Sequence, residues 1–137
     1  MEVFLMALKI NGVHHICLKA VGLEDFDKMV DFYTNLLGLP VVMKWGEGEK
    51  VGMMIDTGDA WLEIFANGTD YPTSSAIRHI ALNVEDTDAC IETVRKAGYE
   101  ILIEPKDHTF PTTPPYSCRL GFCRGPVGEE VEFFQVK

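Results

Sequence analysis

Apolar and polar positions alternate over 13–20 (Val13-His14-His15-Ile16-Cys17-Leu18-Lys19-Ala20), the period of a strand with one buried face. The period then changes. Phe26, Met29, Val30, Tyr33, Leu36 and Leu37 recur at helical spacing, with Asp25 placed to cap the start. Gly38 ends this helix in a left-handed conformation and Pro40 prevents its resumption. Strand-like runs follow at 39–44, 51–56 and 60–66, separated by Gly46-Glu47-Gly48-Glu49 and by Thr57-Gly58-Asp59. The predicted order is β-α-β-β-β.

That order then repeats. Ile77-Arg78-His79-Ile80-Ala81-Leu82-Asn83-Val84 restates the opening strand, and Asp86 caps a helix carrying Ile91, Val94 and Ala97 on one side. Gly98 ends it, a strand follows at 99–103, and 104–115 reads as a long irregular segment rich in Pro and Thr. Within it, 105–115 is either a lid over a cavity or a surface loop. Strands at 117–123 and 129–136 close the copy around a turn at 124–128. The expectation is an α+β fold of one domain, 10–137, in which paired βαβββ modules (about 10–66 and about 76–137, joined by a linker at 67–75) form a curled mixed sheet around a metal site.

Strand parity assigns the faces. Ile16 and Leu18 fall on one side of the first strand, His15, Cys17 and Lys19 on the other. Ile80 and Leu82 oppose His79, Ala81 and Asn83. In the closing strands Trp61, Glu63 and Phe65 share a face, as do Glu130, Glu132 and Phe134. If the apolar residues cover the helices, the open faces present His15, Glu63, His79 and Glu132 to one cavity. Glu63 follows His15 by 48 residues and Glu132 follows His79 by 53, so each module supplies one imidazole and one carboxylate. Such a mixed N/O set suits Ni, Zn, Co, Mn or Fe, one divalent ion per site. His14 and His108 have no counterpart in the repeat and are excluded as ligands. Trp61 and Phe65 either line the pocket or pack the module interface, packing being favoured.

Composition narrows the partners. A net charge of -9 on 137 residues disfavours nucleic acid and anionic membrane surfaces. No apolar run approaches the roughly 18 residues that span a bilayer, and the N-terminus lacks the features of a secretory signal. Cys17, Cys90, Cys118 and Cys123 form no CxxC pair. Reduced thiols in a cytoplasmic protein are expected.

The chain resembles the vicinal oxygen chelate superfamily, which includes glyoxalase I, extradiol dioxygenases, methylmalonyl-CoA epimerase, and fosfomycin and bleomycin resistance proteins. The resemblance covers nearly all of 10–135. It rests on His15-Ile16-Cys17-Leu18, on Asp31-Phe32-Tyr33-Thr34-Asn35-Leu36-Leu37-Gly38-Leu39, on Trp61-Leu62-Glu63-Ile64-Phe65, on His79-Ile80-Ala81-Leu82-Asn83-Val84, and on Gly125-Pro126-Val127-Gly128 before Glu132-Phe133-Phe134. It implies a divalent metal held by His15, Glu63, His79 and Glu132, a small-molecule substrate, and a homodimer; members often complete each site with modules of two chains, and the sequence leaves open whether the sites here lie within one chain or across two. Two His with two Glu are similar to the ligand set of glyoxalase I, implying conversion of a 2-oxoaldehyde–thiol hemithioacetal into a 2-hydroxyacyl thioester. Glu132 is the implied base and Glu63 its near-symmetric counterpart. Lys19 stands where relatives place an Arg for glutathione carboxylates, and Asn67 matches a glutathione-contacting position. The alternatives are a non-haem Fe(II) extradiol-type dioxygenase, which needs only two His and one Glu, and a drug-binding or resistance protein without turnover.

Overall fold

A computed structural model describes residues 11, 13–70 and 79–137. The first ten positions and part of the expected linker, with the start of the repeated strand, lie outside the described residues. The predicted order is present twice. The first copy is β1 (His15–Lys19), α1 (Gly22–Val30), β2 (Val41–Trp45), β3 (Gly52–Asp56) and β4 (Trp61–Phe65). The second is β5 (Ile80–Asn83), α2 (Thr87–Lys96), β6 (Ile101–Phe110), β7 (Tyr116–Arg124) and β8 (Glu130–Val136). Each forms its own four-stranded mixed sheet, ordered β1-β4-β3-β2 and β5-β8-β7-β6. The opening strand of each copy is therefore an edge, parallel to the closing strand beside it. No helix among the described residues is long and apolar enough to cross a membrane.

The α1 helix begins at Gly22, three residues before the expected cap at Asp25, and its N-cap Val21 makes no side-chain capping bond. Its end holds the larger difference. Asp31–Leu36 winds as a π-helical turn in which the Leu37 N–H bonds the Phe32 carbonyl at 2.9 Å. Phe32, absent from the predicted apolar stripe, is fully buried beside Tyr33 within this wider turn. Gly38 then closes the helix with φ 76°, as expected. In α2, the Asp86 carboxylate accepts the Ala89 N–H at 3.0 Å, the predicted cap. Ile91 and Val94 are buried, but Ala97 is exposed. Thr87 takes the third buried place, its hydroxyl donating to the Arg119 and Phe133 carbonyls at 2.9 and 3.3 Å.

The segment expected to be irregular is mostly strand. β6 continues through Pro105 to Phe110 and pairs with β7 down to Phe110 opposite Tyr116. Register shifts between Ile103 and Lys106 put Pro105 at an irregularity, where its missing N–H leaves no ladder bond unmade. The 105–115 stretch is thus the end of an extended hairpin rather than a free lid.

Helix-facing residues of both sheets, among them Leu62, Ile64, Val131 and Phe133, join Phe26, Met29, Phe32, Tyr33, Ile91 and Val94 in one core. Full burial of each such side chain contributes roughly 1.5–3 kcal/mol. With the helices occupying one side of each sheet, His15 and Glu132 are left on the other.

Candidate metal centre

In the first sheet His15 lies opposite Trp61, Cys17 opposite Glu63, and Lys19 opposite Phe65. In the second, Ala81 lies opposite Glu132 and Asn83 opposite Phe134, with His79 immediately before β5. In both sheets, then, the histidine stands two residues before the residue that faces the glutamate. The shared offset brings each pair together diagonally across parallel strands. His15 Nε2 is 3.6 Å from Glu63 Oε1, and His79 Nε2 is 3.2 Å from Glu132 Oε1.

The surroundings of the pairs differ. The His79 ring meets Phe122 edge-on at 5.1 Å, and Phe122 lies opposite Glu132. Cys118, Leu120 and Phe122 form a second apolar cluster with Ile103, Phe110 and Phe134. Glu132, its side chain 9 % exposed, stands opposite Phe122 of that cluster, in surroundings where a charge interacts more strongly than in water. Around Glu63, 15 % exposed, the neighbours across the strands are Cys17 and Met54. Burial, then the Glu63 carboxylate, pushes the Cys17 thiol above its usual pKa, so it is no activated nucleophile.

Lys19 and Phe65 share the open face with His15. Their row continues to Gly52 and Trp45. The Trp45 ring lies over Gly52, where a Cβ would strike it, and meets Phe65 edge-on at 5.9 Å. Trp61 packs instead against His14, ring to ring at 5.1 Å. Asn67 is exposed and forms an isolated bridge with Val21. Trp45, Met54 and Phe122 escaped the sequence reading, although extending the strand parity to β2, β3 and β7 points to them.

The donors fit a divalent ion in halves. Two ligands of one ion, each bonded at about 2.1 Å, lie about 3 Å apart in neighbouring positions, close to both His–Glu separations. His79 Nδ1 is buried without a hydrogen-bond partner among the described residues. Among the described residues no three His, Cys, Asp or Glu come close enough to hold an ion. Within one chain the four side chains therefore make two pairs, not the single cluster that strand parity alone suggested. Two surface recesses, of about 350 and 450 Å³, also lie elsewhere. The smaller is lined by His14, Asp56, Asp59 and Trp61, the larger by Leu37, Leu39, Asp59, Leu82, Asn83 and Phe133.

The sequence profile of the Glyoxalase/Bleomycin resistance protein/Dioxygenase superfamily matches residues 12–133. A probable lactoylglutathione lyase of Vibrio cholerae is 28% identical over 90% of this chain and 92% of its own. One from Synechocystis is 31% identical over 84% and 90%. In fold, the chain is similar to the trypanothione-dependent glyoxalase I of Leishmania major (TM-score 0.65, 24% identity, covering 88% of this chain and 84% of that one). It is similar also to TnmS3, an antibiotic binding protein from Streptomyces (TM-score 0.69, 19% identity, 96% and 100%).

Proposed function

Because the chain belongs to the Glyoxalase/Bleomycin resistance protein/Dioxygenase superfamily, we propose that it is a metal-dependent lyase of the glyoxalase I type. Its substrate is the hemithioacetal of a small 2-oxoaldehyde and a thiol. The observation that supports this most is the pair of His–Glu diagonals at one register offset, with four ligands retained where a dioxygenase needs three.

The proposal includes a homodimer. β1 and β5 are sheet edges, and each has a ligand histidine at or beside its start. A two-fold axis that sets β1 of one protomer beside β5 of its partner does so twice. Each site then combines His15 and Glu63 with the partner's His79 and the partner's Glu132. A divalent ion held by these four side chains would supply Lewis acidity to the substrate.

The remaining work falls to side chains. Glu132, desolvated beside Phe122, takes the proton from the carbon bearing sulfur and hydroxyl and returns it to the neighbouring carbonyl carbon. The C–H bond broken is replaced by one on the adjacent carbon, and the hydroxyl proton passes from the first carbon's oxygen to the second's, so the change is an isomerisation with no external oxidant. Glu63 mirrors Glu132 from the other side of the site. The apolar cluster around Phe122 limits water at the transferring proton, while Lys19 faces the anionic groups of the thiol, with Phe65 and Trp45 beside it. Asn67 is assigned to the thiol end. Four free cysteines suit a reducing, cytoplasmic setting.

The test strips the protein and reloads it singly with Ni, Zn, Co, Mn or Fe, then measures thioester formation from methylglyoxal and glutathione. Turnover restored by metal supports the assignment. Turnover of a catechol only with Fe(II) and oxygen points to the dioxygenase instead, and tight metal uptake with no reaction points to a binding protein.

A further inference from the structure

His14 was set aside as a ligand, yet it makes the shortest polar contact of the first half-site. Its Nδ1 lies 2.8 Å from Nδ1 of His15, with the two rings edge to face at 5.1 Å. One of these nitrogens must carry the proton. The other nitrogen of His15, Nε2, points toward Glu63. For Nε2 to offer its lone pair, His15 must hold its proton on Nδ1 and donate it to His14, whose own proton then sits on Nε2.

The setting of His14 suits that role. Its carbonyl accepts the Trp61 N–H at 3.0 Å, and its ring packs edge-on against the Trp61 indole, so backbone and ring are both held. It lines a surface recess with Asp56, Asp59 and Trp61. The second half-site shows the contrast: His79 Nδ1 is buried with no such partner among the described residues.

We propose that His14 is a positioning residue that fixes the tautomer and ring orientation of His15, so that His15 Nε2 faces the metal position. Trp61 holds His14, which gives that side chain a supporting role one step removed from the substrate. This rests on the metal-dependent reading above, and the experiment separates the two.

The test uses His14→Phe, which keeps an aromatic ring against Trp61 but has no acceptor, and His14→Asn, which loses the ring but places a carbonyl oxygen near the Nδ1 position. The first readout is the His15 tautomer in the metal-free protein, from ring ¹⁵N shifts at mildly alkaline pH. The wild type and His14→Asn are expected to show Nδ1–H, and His14→Phe a shift toward Nε2–H. The second is Ni²⁺ affinity by chelator competition, expected to fall about 10–100-fold in His14→Phe and to stay within a few-fold in His14→Asn. Nε2–H in the wild type overturns the proposal. So does the reverse ranking, with Phe harmless and Asn harmful, which is the signature of ring packing alone. The tautomer pattern without Ni²⁺ uptake by the wild type upholds the hold of His14 on His15 and defeats the metal reading.

Discussion

The Tyr33 hydroxyl donates to Glu129 Oε2 at 3.0 Å, joining residues 96 positions apart, one in each βαβββ copy. Glu129 Oε1 accepts the Val127 N–H at 3.0 Å, so the carboxylate both closes the β7–β8 turn and ties the copies together. Burial raises the Glu129 pKa above the ordinary carboxylate value, and these donors pull it partly back. Burial, and then Glu129 itself, raises the Tyr33 pKa, which keeps the phenol a donor. A carboxyl with a raised folded-state pKa stabilises fully below its unfolded value, and that contribution is lost as pH rises through the folded one. The stability difference between wild type and Glu129→Gln should therefore drift against the wild type across that window. Tyr33→Phe should lose about 1–3 kcal/mol, more at neutral pH than in acid, because a buried charge loses a donor. Urea unfolding at a series of pH values reads both, and parallel pH curves for all three proteins would contradict the account.

Glu132 and Glu63 hold equivalent register positions in different surroundings, and their substitutions should differ accordingly. Glu132→Gln removes the proposed proton carrier, with an expected fall of about 10²–10⁴ in kcat. Glu63→Gln removes a proposed ligand from the more exposed pair; a glyoxalase-type site loses most of its activity with it, whereas a site using two His and one Glu would barely notice. Steady-state rates with saturating metal distinguish these outcomes.

Alternation carried most of the fold. The period-two patterns around His15 and His79 placed both imidazoles on the faces where the structure has them, and Gly38, Asp86 and Gly98 marked helix ends through backbone conformation and capping. What the pattern concealed was non-local or irregular. Phe32 is buried inside a π-helical turn that departs from the 3.6-residue period on which the apolar stripe was read. Pro105 read as a breaker because its tolerance depends on a register shift against β7, a property of the partner strand. The hydrogen bond from Thr87 to β7 and β8 carbonyls gave no apolar signal. The separation of the four candidate ligands into two pairs depends on how whole sheets pack, which strand parity does not encode.

Gly52 tests the aromatic row beside the first pair. Since a Cβ there would strike the Trp45 ring, Gly52→Ala must displace the indole from Phe65 or bend β3. Overpacking of this kind costs about 1–3 kcal/mol, and the Trp45 fluorescence should shift as its environment opens. If Phe65 and Trp45 contact the substrate, KM rises while metal affinity stays unchanged. An unchanged emission spectrum and KM would remove the row from the binding surface.

The arrangement of sites across two chains has a test that needs no structure of the dimer. Glu63→Gln disables the first half-site of its chain and Glu132→Gln the second, so each homodimer alone has no intact site. In a mixed dimer with sites shared between protomers, one site collects both substitutions and the other collects none. Random re-assortment of equal amounts makes half the dimers mixed, so roughly a quarter of all sites regain the wild-type set. Activity should rise from the low level of either variant to about a quarter of wild type after co-refolding. Sites built within single chains would each still carry one substitution, and mixing would restore nothing. Restoration would also show that His15 and Glu63 act with the partner's His79 and the partner's Glu132, because no other pairing of half-sites leaves one of them whole.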